Sequence, residues 1–253
     1  MLQLQENSAA GSTRRAGISF RIVQVLGELL ITAGVVVLLF IAWQLWWTNL
    51  AADVRQRAVI SEFARDLPAA PAGSSDTDHG LPKVAAEPGA GSTIGIVYVP
   101  RFGADYTRPL IQGTTPAVLD SLGLGHYEGT AMPGAVGNVA VAGHRQTHGA
   151  VLDNIDALVP GDRIYIQTRD GYYVYSFRNS EVVLPARTDV LLPVPTQPVA
   201  TPTERYFTMT SCNPRFGSQE RIVAYSLLEH WQPTSAGPPP EIAGQVQRAS
   251  GEG

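Results

Sequence analysis

The sequence predicts an all-β domain that follows a single apolar helix. Short runs rich in β-branched and aromatic residues dominate the middle of the chain, only one stretch there has helical periodicity, and a long apolar segment lies near the start. The middle region holds about 140 residues, enough for one domain with a proper core. Many short strands with few helices favour a closed barrel or a sandwich.

Seven runs in this region have the composition of strands. The clearest hairpin lies around Asp170-Gly171, because Asp-Gly favours a tight turn between strands. Residues 151–158 are instead predicted as a helix, with apolar residues on one face and Pro160-Gly161 at its end. The predicted strands are residues 94–99, 138–142, 163–168, 172–178, 181–184, 206–211 and 222–228.

The segment 22–47 is predicted to be a transmembrane anchor. It is almost entirely apolar, and residues 29–47 alone would span roughly 28 Å as a helix. Trp43, Trp46 and Trp47 at its far end suit the aromatic belt of a membrane interface. No A-x-A cleavage site follows directly, so we interpret the segment as an uncleaved anchor.

The segments around the anchor and the β-rich region are predicted to be tails and connections. Residues 1–21 form an N-terminal tail. Residues 48–92 combine a helix-compatible start with a linker rich in Pro, Ala and Gly, which has too few large apolar residues to order itself. Residues 232–253, with three consecutive prolines, are predicted to be a disordered tail.

Composition and motifs exclude several functions. A net charge of -4 and a single lysine provide no basic patch for nucleic acid. His144 and His148 have a spacing seen in zinc proteases, but Arg145 replaces the required Glu and Gly149 disfavours a helix there. No acidic cluster with the spacing of calcium ligands is present. We therefore predict neither a metal nor a cofactor.

The single cysteine, Cys212, is the leading candidate for chemistry. It follows the predicted strand 206–211, which Asn213-Pro214 ends. A lone cysteine cannot form an intramolecular disulfide, so it is a small buried hydrophobe, an intermolecular link or a reactive thiol. A thiol becomes an effective nucleophile near neutral pH when a nearby cation stabilises the thiolate.

Two residues could supply that cation. Arg221 begins the strand after Cys212, so the two would face each other, and a guanidinium can also stabilise a developing oxyanion. His144 follows the apolar strand 138–142, where it can face a cleft and transfer protons. A strand-end salt bridge for Arg221 and a structural role for His144 are the alternatives.

These residues resemble the sortases, a family of membrane-anchored cysteine transpeptidases. Residues 208–212, Thr-Met-Thr-Ser-Cys, match the family's TLxTC-type signature, and Arg221 follows at the expected distance. Met209 stands where Leu is usual, and Ser211 where Thr is common. Further motifs look most like the class E branch: Gly125-His126-Tyr127, Thr130-Ala131-Met132-Pro133-Gly134, Ala142-Gly143-His144-Arg145 and Ser211-Cys212-Asn213-Pro214. The resemblance covers about residues 94–231.

The resemblance implies a closed sortase-type β-barrel of about eight strands with one or two short helices. It places the N-terminus in the cytoplasm and the catalytic domain, residues 93–231, outside the cell membrane. It implies Cys212, His144 and Arg221 as catalytic residues. Beside the nucleophile, Ser211 is an expected substrate contact, whereas His126 is expected to support the barrel. The long segment 184–202 is expected to form one wall of the substrate groove.

The implied reaction is cleavage of a C-terminal sorting motif, Leu-Pro-x-Thr-Gly or a Leu-Ala-x-Thr-Gly-like variant, on secreted proteins. Cys212 would attack the Thr carbonyl, Arg221 would hold the oxyanion and His144 would protonate the leaving Gly amine. An amine of a peptidoglycan precursor would then accept the acyl group. Two alternatives stay open: a pilus-polymerising sortase, and a non-enzymatic membrane-anchored β-domain that binds cell-wall ligands.

Overall fold

A computed structural model describes residues 10–67 and 79–251. The chain divides into two compact units, residues 1–47 and 48–253, which are described separately. The long helix α1, Ala10–Arg65, begins in the first unit and ends in the second. The start of the predicted N-terminal tail (1–9), the first part of the predicted linker (68–78) and the last two residues of the predicted C-terminal tail lie outside the described residues.

In the first unit, α1 is strongly apolar. The stretch Phe20–Arg65 contains an 18-residue window with a mean hydropathy of 2.6, and none of that window is buried. A helix of this length and composition could cross a membrane. The predicted anchor, residues 22–47, lies inside this stretch.

The second unit is built on a closed barrel of eight strands, as predicted. Their order around the barrel is β1-β2-β3-β4-β7-β8-β6-β5. The pairs β2–β3 and β4–β7 are parallel; the other pairs are antiparallel. The strands are β1 (Thr93–Tyr98), β2 (Thr107–Gln112), β3 (Leu124–His126), β4 (Gly137–Ala142), β5 (Arg163–Gln167), β6 (Gly171–Val183), β7 (Arg205–Asn213) and β8 (Glu220–Pro233).

One face of each strand fills the barrel, because successive side chains in a strand point to opposite faces. In β7, Phe207 and Met209 are fully buried in the main core cluster, together with Val139 and Val141 of the neighbouring strand β4. The intervening residues of these two strands therefore face the outside of the barrel. This alternation decides which side chains are available at the barrel surface.

Two strands, β2 and β3, were not predicted from the sequence. The strand β2 contains Pro109, which argues against a central strand; it is tolerated because pairing with β3 begins only at Leu110. The strand β3 has three residues, too few to show a period. The predicted strand 181–184 is part of β6, which continues through the polar pair Asn179-Ser180 because a register shift against β8 absorbs the irregularity.

The predicted helix at residues 151–158 was wrong. The segment forms turns and a short 3₁₀ helix, Ile155–Ala157. Its apolar residues do pack inward as the periodicity indicated, since Val151, Leu152 and Ile155 are fully buried. So short a segment has little helical stability of its own, and core packing sets its conformation.

The predicted disordered tail, residues 232–253, was also wrong for the part that the structure describes. The strand β8 runs to Pro233, and a helix α3, Ala243–Ser250, follows. Ile242 is fully buried against Tyr98 and Tyr165. Val246 and Ala249 pack against the same cluster. These apolar contacts hold a segment whose composition indicated disorder.

The predicted linker also lies against the barrel from residue 79 onward. The Trp231 indole N–H donates to the Gly80 carbonyl at 2.9 Å, and the Gln112 side-chain amide donates to the Glu87 carboxylate at 2.6 Å. Hydrogen bonds to the barrel thus order a stretch that has few apolar residues to bury.

The C-terminal part of α1 packs on the barrel through one face. Ala52, Gln56, Ile60 and Phe63 recur at helical spacing and are all buried. Ile60 and Phe63 belong to a second apolar cluster, which includes three barrel tyrosines. Residues 48–65 therefore form part of the folded unit.

We expect Phe63→Ala to lower the free energy of unfolding by about 3 kcal/mol, because it removes a buried aromatic side chain from this cluster. The matched control is Glu62→Ala, since the neighbouring Glu62 is exposed. The measurement is urea unfolding of the detergent-solubilised full chain, followed by the near-UV circular dichroism of the buried tyrosines. Equal stability of the two variants would contradict the packing of α1 on the barrel.

Candidate active site

Strand register aligns the three predicted catalytic residues. The parallel pairing of β4 with β7 ends at Ala142 opposite Thr210, and the Gly143 N–H continues it by donating to the Thr210 carbonyl at 3.1 Å. His144 follows two residues after Ala142, just as Cys212 follows two residues after Thr210. On the other side, Cys212 is paired directly with Arg221 of β8. The three residues thus lie at the same end of three adjacent strands.

Cys212 is on the outer face of β7 and is half-buried. It shares this face with Thr208 and Thr210, since Phe207 and Met209 point into the core. Ser211 lies on the opposite face, 3% exposed, and its hydroxyl donates to the Gly143 carbonyl at 2.8 Å. The structure therefore gives Ser211 a supporting contact between β7 and the His144 loop instead of the expected substrate contact.

A polar link connects the ends of the three strands. Arg145, only 4% exposed, donates to the Asn213 side-chain oxygen at 2.7 Å and to the Cys212 carbonyl at 3.4 Å. The Asn213 amide in turn donates to the Glu220 carboxylate at 2.7 Å. A salt bridge of 2.7 Å from Arg145 to Asp156 completes the link. It holds the backbones on either side of Cys212 in place.

Arg221 is held by backbone carbonyl groups. Its Nη1 donates to the carbonyl oxygens of Ser218 and Glu220 at 2.9 and 2.8 Å. These contacts fix one terminal nitrogen of the guanidinium without neutralising its charge. A guanidinium held in this way can donate further hydrogen bonds to an anion that forms near Cys212.

His144 contacts a carboxylate that the sequence analysis did not connect with it. Its Nε2 lies 2.7 Å from Oδ1 of Asp120, the residue that follows the short helix α2, Pro116–Leu119. A carboxylate can only accept, so Nε2 carries the proton and donates. The other ring nitrogen, Nδ1, is then left for Cys212 and the substrate. Asp120 thereby fixes the tautomer and the orientation of the imidazole.

The loop after His144 has unusual backbone geometry. His148, Gly149 and Ala150 have φ angles of 55°, 88° and 46°. Such left-handed conformations are unfavourable for residues other than glycine, and they persist only when surrounding contacts hold them. The side chain of Asn49, on α1, provides two of these contacts: it donates to the Gln146 carbonyl at 3.2 Å and accepts from the Gly149 N–H at 2.8 Å.

The surface beside Cys212 has a hydrogen-bonded floor. The Thr210 hydroxyl lies 3.0 Å from the Tyr127 hydroxyl, and Thr208 donates to Asn138 at 2.7 Å. Asn138 also donates to the carbonyls of Val190 and Leu192, both at 3.1 Å. The long segment between β6 and β7 is thus fastened beside the outer face of β4 and β7.

His126 lies away from this surface, inside the structure. It is 0% exposed, and its Nδ1 and Nε2 lie 2.9 Å from the Gln112 side-chain oxygen and the Ala131 carbonyl. Burial lowers its pKa, since desolvation penalises the charged imidazolium. In the neutral form Nδ1–H donates to Gln112 and the Thr130 hydroxyl, 3.0 Å from Nε2, can donate to the other nitrogen. This buried histidine supports the barrel, which is the role expected from the sequence.

Three residues of the site were not found by sequence reasoning. Asp120 and Asn49 lie far from His144 in the chain, and no local pattern connects them. Arg145 is next to His144, but arginines are most often exposed, so nothing in the sequence predicted that this one is buried. The only usable indication was its place directly after the apolar strand β4, beside a candidate catalytic residue.

The family model for the sortase domain matches residues 97–229, which include Cys212, His144 and Arg221. The chain therefore belongs to the sortase family, whose members are cysteine transpeptidases. Its relatives include two class E sortases, which confirms the resemblance to that branch.

Those two relatives are both from Streptomyces coelicolor. Sortase SrtE1 is 36% identical over 234 residues, which cover 89% of this chain and 62% of SrtE1. Sortase SrtE2 is 34% identical over 243 residues, which cover 89% of this chain and 90% of SrtE2. The chain thus spans less than two thirds of the length of SrtE1.

A solved structure is similar as well. The SrtA sortase from Actinomyces oris is 37% identical and superposes with a TM-score of 0.62. The match covers 65% of this chain and 94% of that sortase.

We expect Asn49→Ala to loosen the loop after His144, because it removes two hydrogen bonds worth about 1 kcal/mol each. Amide hydrogen exchange in residues 146–150 should accelerate about tenfold or more, as measured by mass spectrometry on the full chain. Asn154→Ala is the control, since Asn154 donates at 3.5 Å to a carbonyl outside this loop. Unchanged protection of residues 146–150 would show that Asn49 does not hold the loop.

Proposed function

We propose that this chain is a membrane-anchored transpeptidase that cleaves a C-terminal sorting motif of secreted proteins between Thr and Gly. It then transfers the cleaved protein to an amine of a peptidoglycan precursor, which attaches the protein covalently to the cell wall. The single observation that carries the proposal is the alignment of His144, Cys212 and Arg221 across three adjacent strands. Family membership supports the reaction class.

In the proposed mechanism, the Cys212 thiolate attacks the Thr carbonyl and forms a carbon–sulfur bond. The carbonyl oxygen becomes an oxyanion, and collapse of this intermediate breaks the Thr–Gly bond. His144 gives a proton to the departing Gly amine. The acceptor amine then attacks the thioester, returns a proton to His144 and releases the Cys212 thiolate. Two successive displacements predict ping-pong kinetics.

Arg221 stabilises the oxyanion in this scheme. It is paired with Cys212 in the sheet, so its side chain starts one strand away from the reacting sulfur. Carbonyl contacts to Ser218 and Glu220 restrain its Nη1. A restrained donor costs little reorganisation as the negative charge develops, which is the main advantage of such a group.

The substrate peptide is proposed to lie along the outer face of β4 and β7, which ends at Cys212. Tyr127, which is half-buried, lies on its floor and is supported from below by the buried Thr210, and the segment 184–202 forms one wall. An extended peptide suits this surface, because the sorting motifs implied by the family are short and contain Leu, Thr and Gly. The motif is proposed to be Leu-Ala-x-Thr-Gly-like or Leu-Pro-x-Thr-Gly.

The apolar helix supports the proposed location. A span within Phe20–Arg65 is long and apolar enough to anchor the chain in the cell membrane. We place the N-terminus in the cytoplasm and the barrel outside, as a single-pass protein. This arrangement would bring the site close to secreted substrates and cell-wall precursors.

The test uses the detergent-solubilised full chain, the two sorting-motif peptides and triglycine as the acceptor amine. Mass spectrometry should detect cleavage between Thr and Gly, a peptide thioester on Cys212 and the transfer product. Cys212→Ala should abolish all three while the fold is retained. Absence of cleavage and of the thioester with both peptides would favour a non-enzymatic β-domain, and transfer only to a lysine side chain would favour a pilus-polymerising sortase.

We expect Asp120→Asn to lower kcat about tenfold while KM changes less than about twofold. The carboxylate stabilises the imidazolium through a charge-assisted hydrogen bond, whose value is reduced by its partial exposure. Because Asp120 contacts His144 and not the peptide groove, substrate binding should be preserved. The control is Asp105→Asn, whose exposed carboxylate pairs with Arg248. An unchanged kcat, or a rise in KM alone, would contradict the positioning role of Asp120.

A further inference from the structure

Three possible metal ligands converge beside Cys212. The cluster consists of Asp120, His144 and His148, whose ligand atoms all lie within 4.8 Å of one another. Within residues 10–67 and 79–251 it is the one group of His, Cys, Asp or Glu side chains that meets this criterion. The proposed transpeptidase mechanism uses His144 but has no role for His148.

The zinc-protease motif that this sequence lacks needs a helix that carries two histidines and a glutamate. Asp120, His144 and His148 form a different arrangement. In the structure, His144 and His148 come together in a loop, with ring centroids 5.0 Å apart. The carboxylate comes from Asp120, a different part of the chain, so neither the helix nor the glutamate is needed.

The separations suit a tetrahedral ion. The Asp120 Oδ1 lies 2.7 Å from the His144 Nε2 and 4.0 Å from the His148 Nε2. Zn²⁺ ligands at roughly 2.0–2.1 Å from the ion lie about 3.3 Å from one another. A movement of the Asp120 oxygen by about 0.6 Å, away from His144 and toward His148, therefore approaches two of the three required separations. The third, between the two histidine nitrogens, is below 4.8 Å.

The orientation of His148 is typical of a metal ligand. Its Nδ1 lies 3.2 Å from the Asp120 carbonyl, to which it donates. This hydrogen bond fixes the proton on Nδ1 and leaves the lone pair on Nε2, which lies 4.0 Å from the Asp120 Oδ1. Histidine ligands usually have such an outer partner on the second nitrogen, which orients the ring and increases its basicity.

The cluster is accessible to ions from solution. The side chains of His144, His148 and Asp120 are 29%, 31% and 39% exposed. Two imidazoles and one carboxylate form a ligand set that favours a first-row transition metal such as Zn²⁺ over Mg²⁺ or Ca²⁺. Three protein ligands leave a fourth position for water.

We infer that Asp120, His144 and His148 form a binding site for a divalent transition-metal ion that inhibits the enzyme. The ion takes the place of the hydrogen bond between His144 and Asp120. His144 then ligates through Nε2, whose proton is released to solvent, and the ring's one remaining proton lies on Nδ1. A neutral metal-bound imidazole is a weaker acid than the imidazolium that the proposed mechanism needs. The inhibitory effect rests on the proposed function, because it depends on His144 acting as the proton donor; metal binding itself does not.

The binding test uses untagged, detergent-solubilised full chain with the Cys212→Ala substitution, so that neither a tag nor the thiol can bind the ion. Co²⁺ is the spectroscopic probe, and Zn²⁺ affinity follows from competition. We expect one bound Co²⁺ with visible d–d absorption. His148→Asn should weaken binding at least tenfold, because even loss of an outer partner of a ligand costs about 10–100-fold.

Asparagine is chosen as the substitute because of the backbone conformation at position 148. Asparagine tolerates the positive φ of residue 148 better than most residues, so the loop can be retained. The control is His230→Gln, a histidine of β8 outside the cluster, which should leave affinity unchanged. Circular dichroism confirms that each variant is folded. Absence of one-to-one binding, or equal affinity of the His148→Asn variant, would overturn the inference of a metal site.

The inhibition test uses the chain with Cys212 intact and the peptide that it cleaves. Zn²⁺ should inhibit cleavage, and a chelator should restore it. The concentration for half inhibition should rise at least tenfold in His148→Asn, relative to that variant's own rate without metal. Binding without inhibition would overturn the inhibitory role but retain the site. If no peptide is cleaved, the Co²⁺ experiment still decides the site, so failure of the proposed function is distinguishable.

Discussion

The hydrogen-bonded link from Arg145 through Asn213 to Glu220 is the contact on which the site depends. It fixes the relative register of β4, β7 and β8 at the end where the reactive groups lie. A slip of one residue in β7 would reverse its two faces. Cys212 would then point into the barrel and Ser211 outward, although every residue type was unchanged. No tight turn connects the parallel strands β4 and β7. Their register is therefore set by side-chain contacts between the strand ends.

The surroundings of His144 show how a folded support can stabilise an unfavourable loop. Left-handed conformations of His148 and Ala150 cost of order 1–3 kcal/mol each. The contacts that offset this cost come from Asn49 and from Arg108, whose guanidinium donates to the Gly149 carbonyl at 3.3 Å. Asn49 lies on a helical face that is buried against the barrel. The segment between the apolar helix and the barrel therefore contributes to the geometry of the site.

Much of the fold and the three aligned residues could be predicted from sequence, since alternating strands and a distinctive motif are local signals. The sequence also predicted that Cys212 and Arg221 face each other, because they lie at the ends of two consecutive strands joined by a short loop. The rest could not be predicted, because it depends on contacts between distant segments. Asp120 reaches His144 across the fold, Ile242 anchors a segment with the composition of a tail, and Ser211 turns inward because β7 places alternate residues on opposite faces.

The half-buried Cys212 is the only cysteine in this sequence, and this has a consequence for its chemistry under oxidising conditions. A thiolate that is nucleophilic toward a peptide also reacts with peroxides and forms a sulfenic acid. Many proteins trap that product as a disulfide with a neighbouring thiol. Here no second thiol of the sequence can do so, and recovery requires a reductant from another molecule. Further oxidation to the sulfinic acid would end activity permanently.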